Sequence, residues 1–139
     1  YYCGQGNDTD NVITDAYLKQ IPGVDWEKAY EAVLVSAENW RTENYLKYGY
    51  QFGTDNRYGY RLKPASATQN FAYNDWGIAQ MAKGLGHMED YRVLMERSRN
   101  YWNLYNPQTG FFQARRSSGE WDADDVGFTE GPTGPIASA

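Results

Sequence analysis

Apolar residues recur along much of this chain at spacings of three and four, the period of a helix with one buried face. The clearest run follows Asp25. Trp26, Ala29, Tyr30, Val33, Leu34 and Ala37 form one stripe, opposite a polar face carrying Lys28, Glu31 and Glu38. Asp25 is of the residue type whose side chain caps the free N–H groups at a helix start. Upstream, Ile13, Ala16 and Tyr17 predict a helix over 10–20, with capping oxygens on Asp8, Thr9 and Asp10 and a stop at Pro22-Gly23. A third helix is expected over 66–85, where Phe71, Asp75, Ile78, Ala82 and Leu85 share a face and Gly84 and Gly86 end the run. A fourth is expected over 89–101, with Tyr91, Leu94, Met95, Ser98 and Tyr101 or Trp102 on one side.

Between 39 and 65 the periodicity decays into a Tyr-rich stretch broken by Gly49, Gly53 and Gly59, with room for one helical turn at Glu43–Tyr48. This reads as a long ordered loop, a kind of segment that usually carries function. Asn106-Pro107-Gln108-Thr109-Gly110 reads as a turn. Gly110–Arg116 and Glu120–Asp122, flanking Ser117-Ser118-Gly119, read as a small β-hairpin. From Gly131 onward there is no periodic pattern, so 132–139 reads as an irregular tail. The expected class is mainly α: paired amphipathic helices joined by short turns, with one small β-hairpin, as in part of a helical toroid.

Composition sharpens this picture in places. At 139 residues the chain is long enough for one modest core. A net charge of −5 argues against a nucleic-acid partner, which selects for a basic face. No apolar run is long enough to span a membrane. The lone Cys3 excludes an intrachain disulfide. Asn7-Asp8-Thr9 matches the N-glycosylation acceptor pattern, a weak pointer to secretion. Aromatic residues reach 17%, with 13 Tyr and 5 Trp. Large rings fill cores, and their faces also stack on the apolar faces of sugars; composition does not separate the two uses.

Few residues carry chemistry by type and position alone. Asp75 lies inside an apolar stripe, where a carboxylate must be paired or hydrogen-bonded. It either accepts bonds from a backbone turn or an Arg, or holds a hydroxyl or a metal-bound water. Glu130 beside Gly131 reads, taken alone, as an exposed loop residue. Asp122, Asp124 and Asp125 form an acidic cluster without the full spacing of a calcium loop and read as solvated. His87, the sole histidine, follows Gly86 at a helix end, where positive charge suits the dipole. No nucleophile elbow and no phosphate-binding glycine loop is present.

Three stretches together resemble glycoside hydrolase family 92. The first is Asp15-Ala16-Tyr17-Leu18-Lys19 with Ile21-Pro22-Gly23-Val24-Asp25-Trp26-Glu27-Lys28-Ala29-Tyr30-Glu31-Ala32. The second, and most specific, runs from Ala72-Tyr73-Asn74-Asp75-Trp76-Gly77-Ile78-Ala79-Gln80-Met81-Ala82-Lys83-Gly84-Leu85-Gly86 through Arg97-Ser98-Arg99-Asn100-Tyr101 to Asn106-Pro107-Gln108-Thr109-Gly110-Phe111-Phe112. The third is Phe128-Thr129-Glu130-Gly131. The resemblance implies that residues 1–131 are a segment of an (α/α)6 toroid that follows a β-sandwich domain in a secreted exo-α-mannosidase. It implies inverting removal of terminal α-mannose from glycans, with bound Ca2+ gripping the sugar. Asn74, Asp75, Trp76 and Glu130 would line or buttress the sugar pocket, Trp76 by packing rather than as a platform.

The carry-over is incomplete. Family members usually read Leu-Glu-Tyr-Ala-Tyr before the acidic pair, and the resemblance assigns that Glu as the general acid. Here the segment is Gln69-Asn70-Phe71-Ala72-Tyr73, so Asn70 holds the position. An amide has no proton acidic enough to deliver to a leaving group. Glu130 matches the Glu of a Glu-Gly-Asn motif and is a candidate substitute acid, although Pro132 replaces the Asn. The His-Glu pair of some α-1,2-specific members falls on Val126 and Gly127, so that specificity is not supported. The segment bearing the family's catalytic base lies outside these residues. A non-catalytic glycan-binding or structural module built on the same fold is therefore the rival reading. A toroid arc acting on another sugar class is a third.

Overall fold

The computed structural model describes residues 9–40, 64–115 and 118–121. Four α-helices dominate: α1 (Thr9–Leu18), α2 (Trp26–Trp40), α3 (Pro64–Leu85) and α4 (Met88–Arg97). A 3-10 helix (Asn100–Leu104) leads into a two-stranded antiparallel ladder of β1 (Tyr105–Asn106) and β2 (Phe111–Phe112). The helix α3 is central, packing against α1, α2, α4 and the 3-10 helix.

The expected starts and stops are built as the residue types require. The Asp25 carboxylate accepts a hydrogen bond from the Lys28 N–H, capping α2. α3 starts at Pro64, a residue tolerated in a helix's first turn. It ends where Gly86 turns to a φ of 91°. There the Gly86 N–H reaches the Lys83 carbonyl and the His87 N–H reaches the Ala82 carbonyl. This paired closure needs a left-handed residue, and glycine enters that region without strain. α1 closes the same way at Gln20, with the Ile21 N–H bonded to the Ala16 carbonyl and φ at 55°.

The core joins the stripes read from the sequence. Tyr30, Val33 and Ala37 of α2 meet Ile78, Ala79, Met81 and Ala82 of α3 and Leu94 of α4. Ile13, Tyr17, Trp26, Leu34 and Tyr91 pack around them. α1 approaches α3 closely at Gly77, where an added Cβ would sit 2.8 Å from the Thr14 hydroxyl.

Two expectations are corrected. The fourth helix does not run to Tyr101. It ends at Arg97, and a separate 3-10 helix follows. Ser98 donates its hydroxyl to the Met95 carbonyl, and the Arg99 and Trp102 N–H groups bond three residues back, so the coil tightens. The ladder is also displaced. It pairs Tyr105 with Phe112 and Asn106 with Phe111 across the Asn106–Gly110 turn. The Asn106 side chain organises that turn, accepting from the Gln108 N–H and donating through Nδ2 to the side-chain Oε1 of buried Gln113. At the expected hairpin the described pairing is a single bridge, Arg115 with Trp121. The Arg115 guanidinium lies 3.6 Å from the Trp121 ring centre and donates to the Asn103 and Gly119 carbonyls. Of the expected 39–65 loop, the ends belong to α2 and α3, and residues 41–63, like the expected tail over 132–139, lie outside the described residues.

Candidate functional site

Of the residues singled out by sequence, Asn70, Asn74, Asp75 and Trp76 lie on α3, but they point in different directions. Successive residues of an α-helix are about 100° apart, so Asn74, Asp75 and Trp76 cannot share one wall. Asn74 and Asp75 are buried, at 1% and 0% exposure, whereas Trp76 is 41% exposed. Within this arc Trp76 packs against a ring of its own helix. Its ring lies nearly parallel to that of Tyr73, centres 6.2 Å apart, on the open side of the helix. Asn70 is exposed, one turn before Asn74.

Asp75 faces inward and is committed to Arg97. The Arg97 Nη2 donates to Oδ1 at 3.3 Å and Nε to Oδ2 at 3.4 Å, a side-on bidentate pair. The same guanidinium donates to the Ala37 carbonyl at 3.2 Å and to Glu38 at 2.5 Å. One arginine on α4 therefore fastens α3 to the C-terminal end of α2. Of the two roles open to Asp75, the structure displays the pairing with an arginine. Arg97 was not identified as that partner, yet a signal existed: Asp75 and Arg97 lie eleven residues either side of Gly86, so a helical hairpin turning there sets them face to face.

A second polar group also escaped the sequence reading. The Tyr30 hydroxyl donates to Asp90 at 2.7 Å. His87 stacks on the Tyr30 ring, centres 4.8 Å apart, and its Nε2 meets Glu27 at 3.0 Å. Burial, reinforced by the hydrogen bond and charge of Asp90 and the charge of Glu27, pushes the Tyr30 phenol well above its ordinary value. His87 thus clips the α3–α4 turn to α2, in addition to standing beside a helix end.

Glu130, Asn7, Cys3 and the Asp122, Asp124 and Asp125 cluster lie outside the described residues. Among the described residues no three His, Cys, Asp or Glu side chains gather as a metal cage. Asp75, the candidate carboxylate among the described residues, is buried and already faces a guanidinium. The described residues do not by themselves fit a calcium ion. No helix among them is long and apolar enough to cross a membrane.

The described helices, with α3 packed among α1, α2 and α4, are paired as in an arc of a helical toroid. A sequence profile of the glycosyl hydrolase family 92 catalytic domain matches residues 1–134, and the chain belongs to that family. A curated relative from Arthroderma benhamiae, named an uncharacterized secreted glycosidase, is 32% identical over 146 residues, covering 86% of this chain and 19% of its own. A family GH92 α-mannosidase structure from Bacteroides thetaiotaomicron superposes with a TM-score of 0.77 at 30% identity, covering 96% of this chain and 18% of that one. A structure of the family GH92 inverting mannosidase BT2199 from the same organism gives 0.73 at 30% identity, covering 87% and 17%. The fold is accordingly part of an (α/α)6 toroid. The chain spans about a fifth or less of the length of these relatives.

Proposed function

We propose that this chain is an arc of the catalytic domain of a secreted, exo-acting α-mannosidase that removes terminal α-mannose from glycans with inversion. The observation that carries the reading is the family match over residues 1–134, which takes in the helix that holds Asn70, Asn74 and Asp75. The secreted name of the Arthroderma relative supports export, and the inverting mannosidase among the neighbours supports the stereochemistry. On this reading the partners are mannose-containing glycans, the remainder of the catalytic domain and a β-sandwich domain.

Inversion requires one carboxylic acid to protonate the leaving oxygen and a second carboxylate to activate water on the opposite face. Asn70 cannot serve as the acid, so Glu130 is the candidate substitute, and the base comes from elsewhere in the parent. Asp75, paired with Arg97, holds α3 in place and does not transfer a proton. Calcium follows from the family resemblance. Its ligands would come chiefly from outside the described residues, and no step here is drawn through it.

Asn70 favours a second reading, a glycan-binding module that has lost turnover. One experiment separates the two. The full-length parent is incubated with α-linked mannosides, with calcium and with a chelator, and free mannose is measured beside mannoside binding. Calcium-dependent release with the β-anomer formed first supports the mannosidase. Binding without release supports the module. Neither binding nor release contradicts both.

A further inference from the structure

We infer that Arg97 is a positioning residue: its guanidinium, fixed at the ends of α2 and α4, sets the rotation of α3 about its own axis and so the aim of position 70. This rests on the mannosidase reading, which gives position 70 its chemistry, and adds a residue on another helix that governs it.

The α3 residues of the core cluster, Ile78, Ala79, Met81 and Ala82, all follow Gly77. Phe71 and Ala72 are buried ahead of it, outside that cluster. The hydrophobic term is non-directional and does not single out one rotation of this first half. The Asp75–Arg97 pair is directional. A planar fork bonded to both carboxylate oxygens fixes orientation as well as distance. The fork is referenced outside α3. Arg97 is the last residue of α4, and its guanidinium also bonds the Ala37 carbonyl, in the final turn of α2, where a helix leaves its carbonyls unbonded. Position 70 lies five residues before Asp75, about 7.5 Å along the axis and about 140° around it. Side-chain ends stand about 5–6 Å from a helix axis, so a rotation of about 10° moves the group at position 70 by about 1 Å. A misplacement of about 1 Å costs up to about 10²-fold in rate. A contact on one side of α3 therefore governs a group on another.

The test is a double-mutant cycle of Arg97→Lys with Asn70→Glu in the full-length parent. For each protein the kcat of mannose release from an α-mannoside and the melting temperature are measured. Lysine keeps the charge against Asp75 but lacks the fork, so the Arg97→Lys melt should stay within about 5 °C of the parent's. The gain in kcat that Asn70→Glu confers should shrink by about 10–10²-fold when Arg97→Lys is also present. Arg92→Lys, the same change at an exposed position of α4, should leave that gain intact. An equal gain with Arg97 and with Arg97→Lys would overturn the inference. So would a melt of Arg97→Lys below the assay temperature, which would assign the pair to stability alone. No gain from Asn70→Glu in either background would remove position 70, and the inference with it, while mannose release by the parent left the proposed function standing. Neither release nor binding of mannosides by any of these proteins would remove the mannosidase reading itself.

Discussion

Asp75 shows how far a single residue can be read. Its place in an apolar stripe announces a buried carboxylate with a partner, but the partner is fixed by geometry three turns and a loop away. Pairing Asp75 with Arg97 desolvates both charges, so removing one alone strands the other. Asp75→Ala should destabilise the parent by about 3–5 kcal/mol. Combining it with Arg97→Met should recover part of that loss, and chemical denaturation of the single and double variants measures the difference. Tyr30 carries a pH signature. Its phenol ionises near 10.0 when unperturbed and at a higher pH when folded. Above pH 10 the unfolded chain therefore releases a proton that the folded chain keeps, and stability falls as pH rises. Tyr30→Phe should flatten this alkaline loss in melting temperatures recorded from pH 8 to 11.

The four helices were legible because each couples a 3.6-residue stripe to a recognisable start or stop. Their ends were less so. The fourth helix stops where Ser98 bonds backward to Met95, a local competition that periodicity does not register. The ladder moved because Asn106 organises its turn with a side-chain bond network, while the sequence showed only residues typical of a turn. At α3, Gly86→Ala should cost about 1–2 kcal/mol, because alanine resists the left-handed closure. Gly77→Ala should cost about 1–3 kcal/mol by pressing on Thr14 and separating α1 from α3. Thermal melts of both variants check this, and an unchanged Gly77→Ala would mean that Thr14 yields freely.

At the scale of the molecule, this arc leaves large apolar side chains uncovered. Val12, Ile21 and Val35 remain exposed, as do Trp102, Tyr105 and Phe111 around the ladder. The Trp102 and Tyr105 rings meet edge to face at 5.9 Å without being covered. Expressed alone, the chain should associate or bind hydrophobic dyes, and light scattering would show it; a sharp melt of an isolated monomer would be the opposite result. The class of fold could be read from the helices, and the family from three stretches together, the one running from Ala72 to Phe112 being the most specific. The inward turn of Asp75 could also be read, from its place in the apolar stripe; its pairing with Arg97 depends on how α4 folds back on α3. The sharpest measurement is the rate of mannose release from an α-mannoside by the full-length parent and by its Asn70→Glu variant. Restoring a carboxyl at position 70 should raise that rate by about 10²–10⁴-fold. Equal rates in the two proteins would contradict the assignment of position 70 to proton delivery.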